Sequence, residues 1–235
     1  MTSIEAIINR QFLRWEQEQK VQPRLEPLKE LPLPIVTVSR QSGSRGSYFA
    51  SRLAQKLGYQ RIHREVIDAV ATSSGYRTRL LEALDEKFRS ELEVLVESVL
   101  TGQSVDNVDY ANQLCKVVLS MSRLGGVVLV GRGGNFILGS KRGFHIRFVC
   151  PLEKRVHNLI TYKSITEEEA REYIRESDAH RSRFVKSVFG VDIDNPLYYD
   201  VVINAEYIDV EELVSMAIEA IKGKMDKLIH LDNDQ

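Results

Sequence analysis

Ile35-Val36-Thr37-Val38-Ser39-Arg40-Gln41-Ser42-Gly43-Ser44-Arg45-Gly46-Ser47 is the stretch that decides the fold. Its first four residues are β-branched, the composition of a strand buried on both faces of a parallel sheet. Glycines at 43 and 46 turn the chain, and Phe49, Leu53 and Leu57 then recur at helical spacing up to Gly58, a residue suited to a helix C-terminus. Strand, glycine turn and helix in that order aim successive main-chain N–H groups at one point beside a helix N-terminus, where an anion is favoured. Phosphate is the natural guest, with Gly43, Ser44, Arg45, Gly46 and Ser47 as its cradle. A tight structural turn is the competing reading, because the lysine of G-x-x-x-x-G-K-[ST] is absent.

Downstream, residues 61–125 read as mostly helical, interrupted between Gly102 and Asp109. Val127-Val128-Leu129-Val130 is a second buried strand that runs into the turn Gly131-Arg132-Gly133-Gly134, and His145-Ile146-Arg147-Phe148-Val149 is a third, stopped by Pro151. A helix follows from Leu152 to Tyr162, and another opens at Thr166, with Glu167, Glu168 and Glu169 placed to suit the helix dipole. Val201-Val202-Ile203-Asn204 is the last strand, and Val210 to Ile221 the closing helix. Strands separated by helices long enough for right-handed crossovers imply a three-layer α/β/α domain with a parallel sheet. Ligands of such sheets bind at the carboxyl ends of the strands, where both glycine turns lie.

Upstream, Ile4, Ile7, Ile8, Phe12 and Trp15 mark one face of an amphipathic helix over residues 3–20. Pro23, Pro27, Pro32 and Pro34 make the following stretch an extended linker. The chain thus divides into the N-terminal helix and linker (1–34), the α/β domain (35–222) and a polar C-terminal tail (223–235). The helix packs on its own domain or joins two copies as a homodimer.

A formal net charge of −1 provides no global field to draw the chain to nucleic acid or to an anionic membrane, so neither is an expected partner. No apolar run approaches the roughly 20 residues of a membrane span, and the N-terminus lacks the apolar centre of a signal peptide; a cytoplasmic location is expected. Cys115 and Cys150 have no metal-ligand spacing and read as buried thiols, and the histidines form no zinc motif.

In the second glycine turn Arg132 could fork onto a phosphate or form a structural ion pair. On the helix opened by Thr166, Asp178 and Arg181 share a face and can pair.

Four segments taken together, Ser39 to Gly46, Val130-Gly131-Arg132-Gly133-Gly134-Asn135, Asp178-Ala179-His180-Arg181 and Tyr199 to Asn204, resemble in that order the cytidylate kinase-like family, over about residues 35–222. The resemblance implies a P-loop nucleoside-monophosphate-kinase fold and transfer of the ATP γ-phosphate to CMP or dCMP with Mg²⁺. It implies a donor phosphate loop of Arg40, Gln41, Ser42, Gly43, Ser44, Arg45, Gly46 and Ser47, with Ser47 toward the metal. It further implies an acceptor site that includes His63, Arg64 and Asp68, with Arg132 on the acceptor phosphate and Asp178 and Arg181 in a helical lid. The chain departs from the pattern in its missing lysine, in Gly133 where an aspartate commonly follows the glycine-arginine pair, and in Ile174 where a lid arginine is common.

Phosphoryl transfer needs in-line positioning and positive charge more than covalent chemistry. Arg45, Arg132 and Arg181 are the expected catalytic residues, Arg45 taking over some of the lysine's work. Three rival readings stand beside this one: a nucleotide-binding sensor without transfer, an interaction protein working through its first helix, and a kinase for another small acceptor such as shikimate.

Overall fold

The structure is a computed structural model that describes residues 3–21, 34–101 and 108–233. The proline-rich linker, apart from its ends, and most of the break expected at 102–109 lie outside the described residues.

Five parallel strands form the sheet: β1 (Val36–Arg40), β2 (Gln60–His63), β3 (Val127–Val130), β4 (Phe144–Val149) and β5 (Val201–Asn204), in spatial order β2-β3-β1-β4-β5. Val36 of the central strand lies opposite Val128 on one side and Phe144 on the other, so the expected buried strands pair in register. β2 corrects the helical reading of residues 61–125. It is an edge strand whose burial is confined to Ile62, and its Gln, Arg and His carry no apolar run; pairing with β3 makes it a strand.

On one face of the sheet lie α2 (Gly46–Leu57) and α10 (Val210–Asn233), which bury Phe49, Leu53, Leu213 and Val214 against β1, β3 and β4. The other face carries α3 (Arg64–Thr72), α4 (Ser74–Glu82), α5 (Glu86–Leu100) and α6 (Val108–Leu124), around a core that includes Ile67, Leu114 and Leu119. The first helix, α1 (Ile4–Val21), belongs to this second layer. Its apolar face is buried within the chain at Ile8, Phe12 and Trp15, and the Trp15 indole N–H donates to the Gly125 carbonyl at 3.1 Å. The Arg79 guanidinium covers the Phe12 ring at 4.5 Å and donates to Glu16.

The closing helix runs past Ile221 to Asn233, and Lys224 on it binds Asp200 at 2.8 Å. Across the carboxyl edge of the sheet come α7 (Gly134–Leu138), α8 (Leu152–Lys163) and the long α9 (Glu167–Phe189). Thr166 and Glu169 close a reciprocal capping box at the start of α9, which fixes where that helix begins.

Candidate active site

β1 and β3 are neighbours, so the glycine turns that follow them lie side by side at the sheet's carboxyl edge. Both turns need left-handed backbone: φ is +76° at Gly43 and +66° at Arg45 in the first, +92° at Gly131 and +55° at Arg132 in the second. An arginine held there costs about 1 kcal/mol or more relative to glycine, and such strain concentrates at functional sites.

The first loop is tied down on several sides. Ser44 Oγ donates to the Gln41 carbonyl at 2.8 Å and accepts from Gly46 N–H at 3.3 Å. From α8, Asn158 Nδ2 donates to the Gly43 carbonyl at 2.8 Å and Arg155 Nη1 to the Ser42 carbonyl at 3.3 Å. The Gln41 side chain accepts from Cys150 N–H at 3.0 Å. A β-carbon on Gly43 would come within 2.6 Å of the Arg155 carbonyl oxygen, so only glycine fits under α8. From α9, Asp178 Oδ1 accepts from Ser42 N–H at 2.8 Å, while its carboxylate also binds Arg155 and Arg181.

Beside this loop a cavity of about 200 Å³ opens between the ends of β1 and β3, the start of α3 and the inner face of α9. Arg40, Arg64, Arg132 and Arg181 line it, together with Glu65 and Phe184. Arg132 forks onto both oxygens of Asp68, which also accepts from the Tyr110 hydroxyl at 2.7 Å, and its guanidinium lies 4.8 Å over the Phe184 ring. Burial and the Asp68 partner push the Tyr110 hydroxyl well above its usual pKa. Arg181 holds Asp178 at 2.9 Å, and Arg64 holds Glu65 at 3.2 Å. Arg40 makes no ion pair among the described residues; its Nε points to Ser47 Oγ at 3.4 Å. Burial, with Arg181 and Arg64 close by, brings the Arg40 guanidinium down to about 10.

Of the residues expected from sequence, Arg40, Arg64, Arg132 and Arg181 meet in the cavity, and Gln41 to Ser47 form the loop next to it. Asp68 and Asp178 stand behind, each binding a lining arginine. His63 lies outside the cavity wall, its Nδ1 2.7 Å from Glu65. Arg45 does not line the cavity: its guanidinium packs against the rings of Tyr48 and Tyr162 at 5.4 and 5.9 Å.

Sequence reasoning passed over Glu65, Arg155, Asn158 and Arg147. Arg147, 4% exposed on β4, donates to Ser39 Oγ at 2.7 Å and to Asp194 at 2.6 Å. A charge inside an otherwise apolar strand was the available signal, since a buried charge demands partners. Arg155 and Asn158 sit three apart on α8 and so share a face, but nothing in that helix's pattern marks the face as turned to the loop.

For a magnesium ion the fit is modest. The described residues hold no cluster of three or more His, Cys, Asp or Glu side chains. The exposed Ser47 hydroxyl and Glu65 in the cavity suit an ion held mainly by the phosphates of a nucleotide, the usual manner for Mg²⁺.

A parallel sheet with a strand–glycine turn–helix unit at its centre, arginines gathered at the adjoining turn and a helix laid across both defines the P-loop nucleoside-monophosphate-kinase class. Within that class, the profile of the cytidylate kinase-like family matches residues 35–207, and the chain belongs to that family. A cytidylate kinase of Methanocaldococcus jannaschii is 31% identical over 110 residues, 44% of this chain and 62% of that one. A uronate isomerase of Corynebacterium glutamicum is 30% identical over 119 residues, half of this chain but 23% of that protein. The chain therefore spans less than two thirds of either of these relatives. Among solved structures, an uncharacterized protein from Eubacterium ventriosum superposes with a TM-score of 0.63 at 18% identity, over 81% of this chain and 98% of that one, a likeness of fold.

Proposed function

We propose that this protein is an ATP-dependent nucleoside monophosphate kinase, with residues 35–222 as its working domain and CMP or dCMP as the acceptor. The observation that carries the reading is the cavity in which Arg40, Arg64, Arg132 and Arg181 converge within reach of the glycine loop at Gly43 to Ser47. The loop holds the donor phosphates by its amides. Arg132 and Arg181 hold the acceptor phosphate, and Asp68 and Asp178 keep those two guanidinium planes in place until it arrives. His63 and Arg64 belong to the acceptor side, where Phe184 offers a flat face for a base. Arg45, against Tyr48 and Tyr162, belongs to the donor side. Magnesium at Ser47 would neutralise charge on the donor phosphates.

An acceptor phosphate dianion is already a nucleophile, so the site needs no general base. The acceptor oxygen bonds to the γ-phosphorus as the bond to the β–γ bridging oxygen breaks, and the electron pair leaves with ADP. A coupled assay of ATP with a panel of nucleoside monophosphates tests the reading. Arg132→Ala should lower turnover about a hundredfold or more while the far-ultraviolet circular dichroism stays that of the wild type. Wild-type turnover in that variant would remove Arg132 from the site.

A second reading, a nucleotide sensor without transfer, is favoured by the missing lysine and by the Asp178 carboxylate already on Ser42 N–H. Calorimetric heat of ATP binding without turnover on any acceptor would select it. A homodimer through α1 is left out of the proposal, because the apolar face of that helix is spent inside the chain. No helix among the described residues is long and apolar enough to cross a membrane.

A further inference from the structure

Three of the four arginines in the cavity have a carboxylate of their own: Arg132 has Asp68, Arg181 has Asp178 and Arg64 has Glu65. Arg40 has none among the described residues. Arg40 is half-buried, and a guanidinium partly withdrawn from water without a directly bound counter-charge carries a cost that something else must offset. The surroundings of Arg40 add to that cost, since repulsion from Arg181 and Arg64 outweighs the attraction of Glu65, which is paired with Arg64 and His63. A directly bound anion is what this position lacks among the described residues.

Location says which anion. Arg40 is the last residue of β1, immediately before the glycine loop. Its β-carbon lies under the first residue of α2, since a β-carbon on Gly46 would come 2.6 Å from it. From there the side chain passes Ser47, whose hydroxyl is 3.4 Å from Nε. It ends at the neighbouring turn, where a β-carbon on Gly131 would be 3.0 Å from Nη1. One side chain thus spans from the N-terminus of the donor-loop helix to the acceptor turn, and its carbonyl accepts from Arg181 at 3.4 Å. In phosphate loops that carry a lysine, that lysine reaches the β- and γ-phosphates.

We infer that Arg40 supplies the charge of the missing loop lysine, binding the transferring phosphoryl group between donor and acceptor, and that Arg45 does not. The inference rests on the kinase reading above and sharpens it. Arg40 donates N–H bonds to the equatorial oxygens of the phosphorus as the acceptor oxygen bonds to it and the bridging oxygen departs with its electron pair to ADP. No proton moves and no further reactant enters. The interaction is strongest in the transition state, where charge is spread over those oxygens, so it acts on kcat more than on either KM.

The test uses the full chain and the variants Arg40→Gln, Arg40→Lys and Arg45→Gln. In the ATP and CMP assay, R40Q should lose about a hundredfold or more in kcat with both KM values within a few-fold of wild type. R40K should recover at least tenfold of that loss, and R45Q, on the donor side, should raise the KM for ATP more than it lowers kcat. A binding readout needs no turnover. For an adenosine–cytidine pentaphosphate that bridges both sites, R40Q should lose at least ten times more affinity than it loses for ADP and CMP taken separately. Thermal unfolding separates this role from a structural one, because removal of an unpaired, half-buried charge leaves the melting temperature of R40Q unchanged or higher. A lower melting temperature with an unchanged kcat would make Arg40 structural and overturn the inference. If the wild type transfers phosphate and R45Q rather than R40Q is inactive, the kinase reading stands and the assignment of Arg40 falls. If the wild type neither transfers phosphate nor binds ADP and CMP, both fall together.

Discussion

His145 shows how much a single side chain can be made to depend on its protonation state. Only 2% exposed, it lies on β4, with Nδ1 2.8 Å from Thr37 Oγ1 and Nε2 2.8 Å from the Gly139 carbonyl. A carbonyl only accepts, so Nε2 carries the hydrogen and Nδ1 accepts from the threonine hydroxyl. Burial, with the Lys224 ammonium adding to it, lowers the His145 pKa from its ordinary 6.5. The unfolded chain therefore binds this proton at a higher pH than the folded one does. The stability that a neutral His145 contributes is complete above about 6.5 and is lost as pH falls from there toward its lowered folded value. Denaturant unfolding at pH 7 and pH 5 should show a larger drop for the wild type than for His145→Gln. Equal drops would mean that the buried ring is not what senses the pH.

At the scale of elements, α1 is the part whose role the sequence left open and the packing decides. Its apolar stripe is legible residue by residue, but a stripe says only that a helix is covered, not by what. Trp15 answers that, being 2% exposed with its indole N–H bound to Gly125, the residue two before β3 begins. Trp15→Ala should cost about 3–5 kcal/mol, a fall of roughly 10 °C in melting temperature. Solution mass, measured by sedimentation, should not change. A halved mass with an unshifted melting temperature would return the helix to a dimer interface. The other elements divide along the same line. β1, β3 and β4 were legible because a strand buried on both faces carries a run of β-branched and apolar residues. β2 was not, because its Gln, Arg and His give no β-branched run of the kind that marks the other edge strand, β5, although each buries a single side chain. The arginines of the site could be recognised where a glycine turn announced them. Arg155 and Asn158 could not, because the contact they make is with a loop more than a hundred residues earlier in the chain.

On the scale of the whole molecule, α9 is the element that joins the two halves of the site. Phe184 covers Arg132 at the acceptor turn, and less than two helical turns earlier Asp178 reaches the glycine loop. Ala170 and Ile174, packed on Val156 and Leu159 of α8, hold the near end of this helix, and Phe189, buried against Phe136, anchors the far end. One rigid rod is thus fastened over both turns at once. The Asp178 carboxylate is in effect a tenant: the protein's own negative oxygen already lodges at the Ser42 amide, so a nucleotide phosphate arriving there must evict it. Measured affinity is then the difference between two occupancies rather than the strength of one. Asp178→Asn should bind ADP more tightly by calorimetry while melting at a lower temperature, a trade of cohesion for vacancy that an idle surface carboxylate would not make.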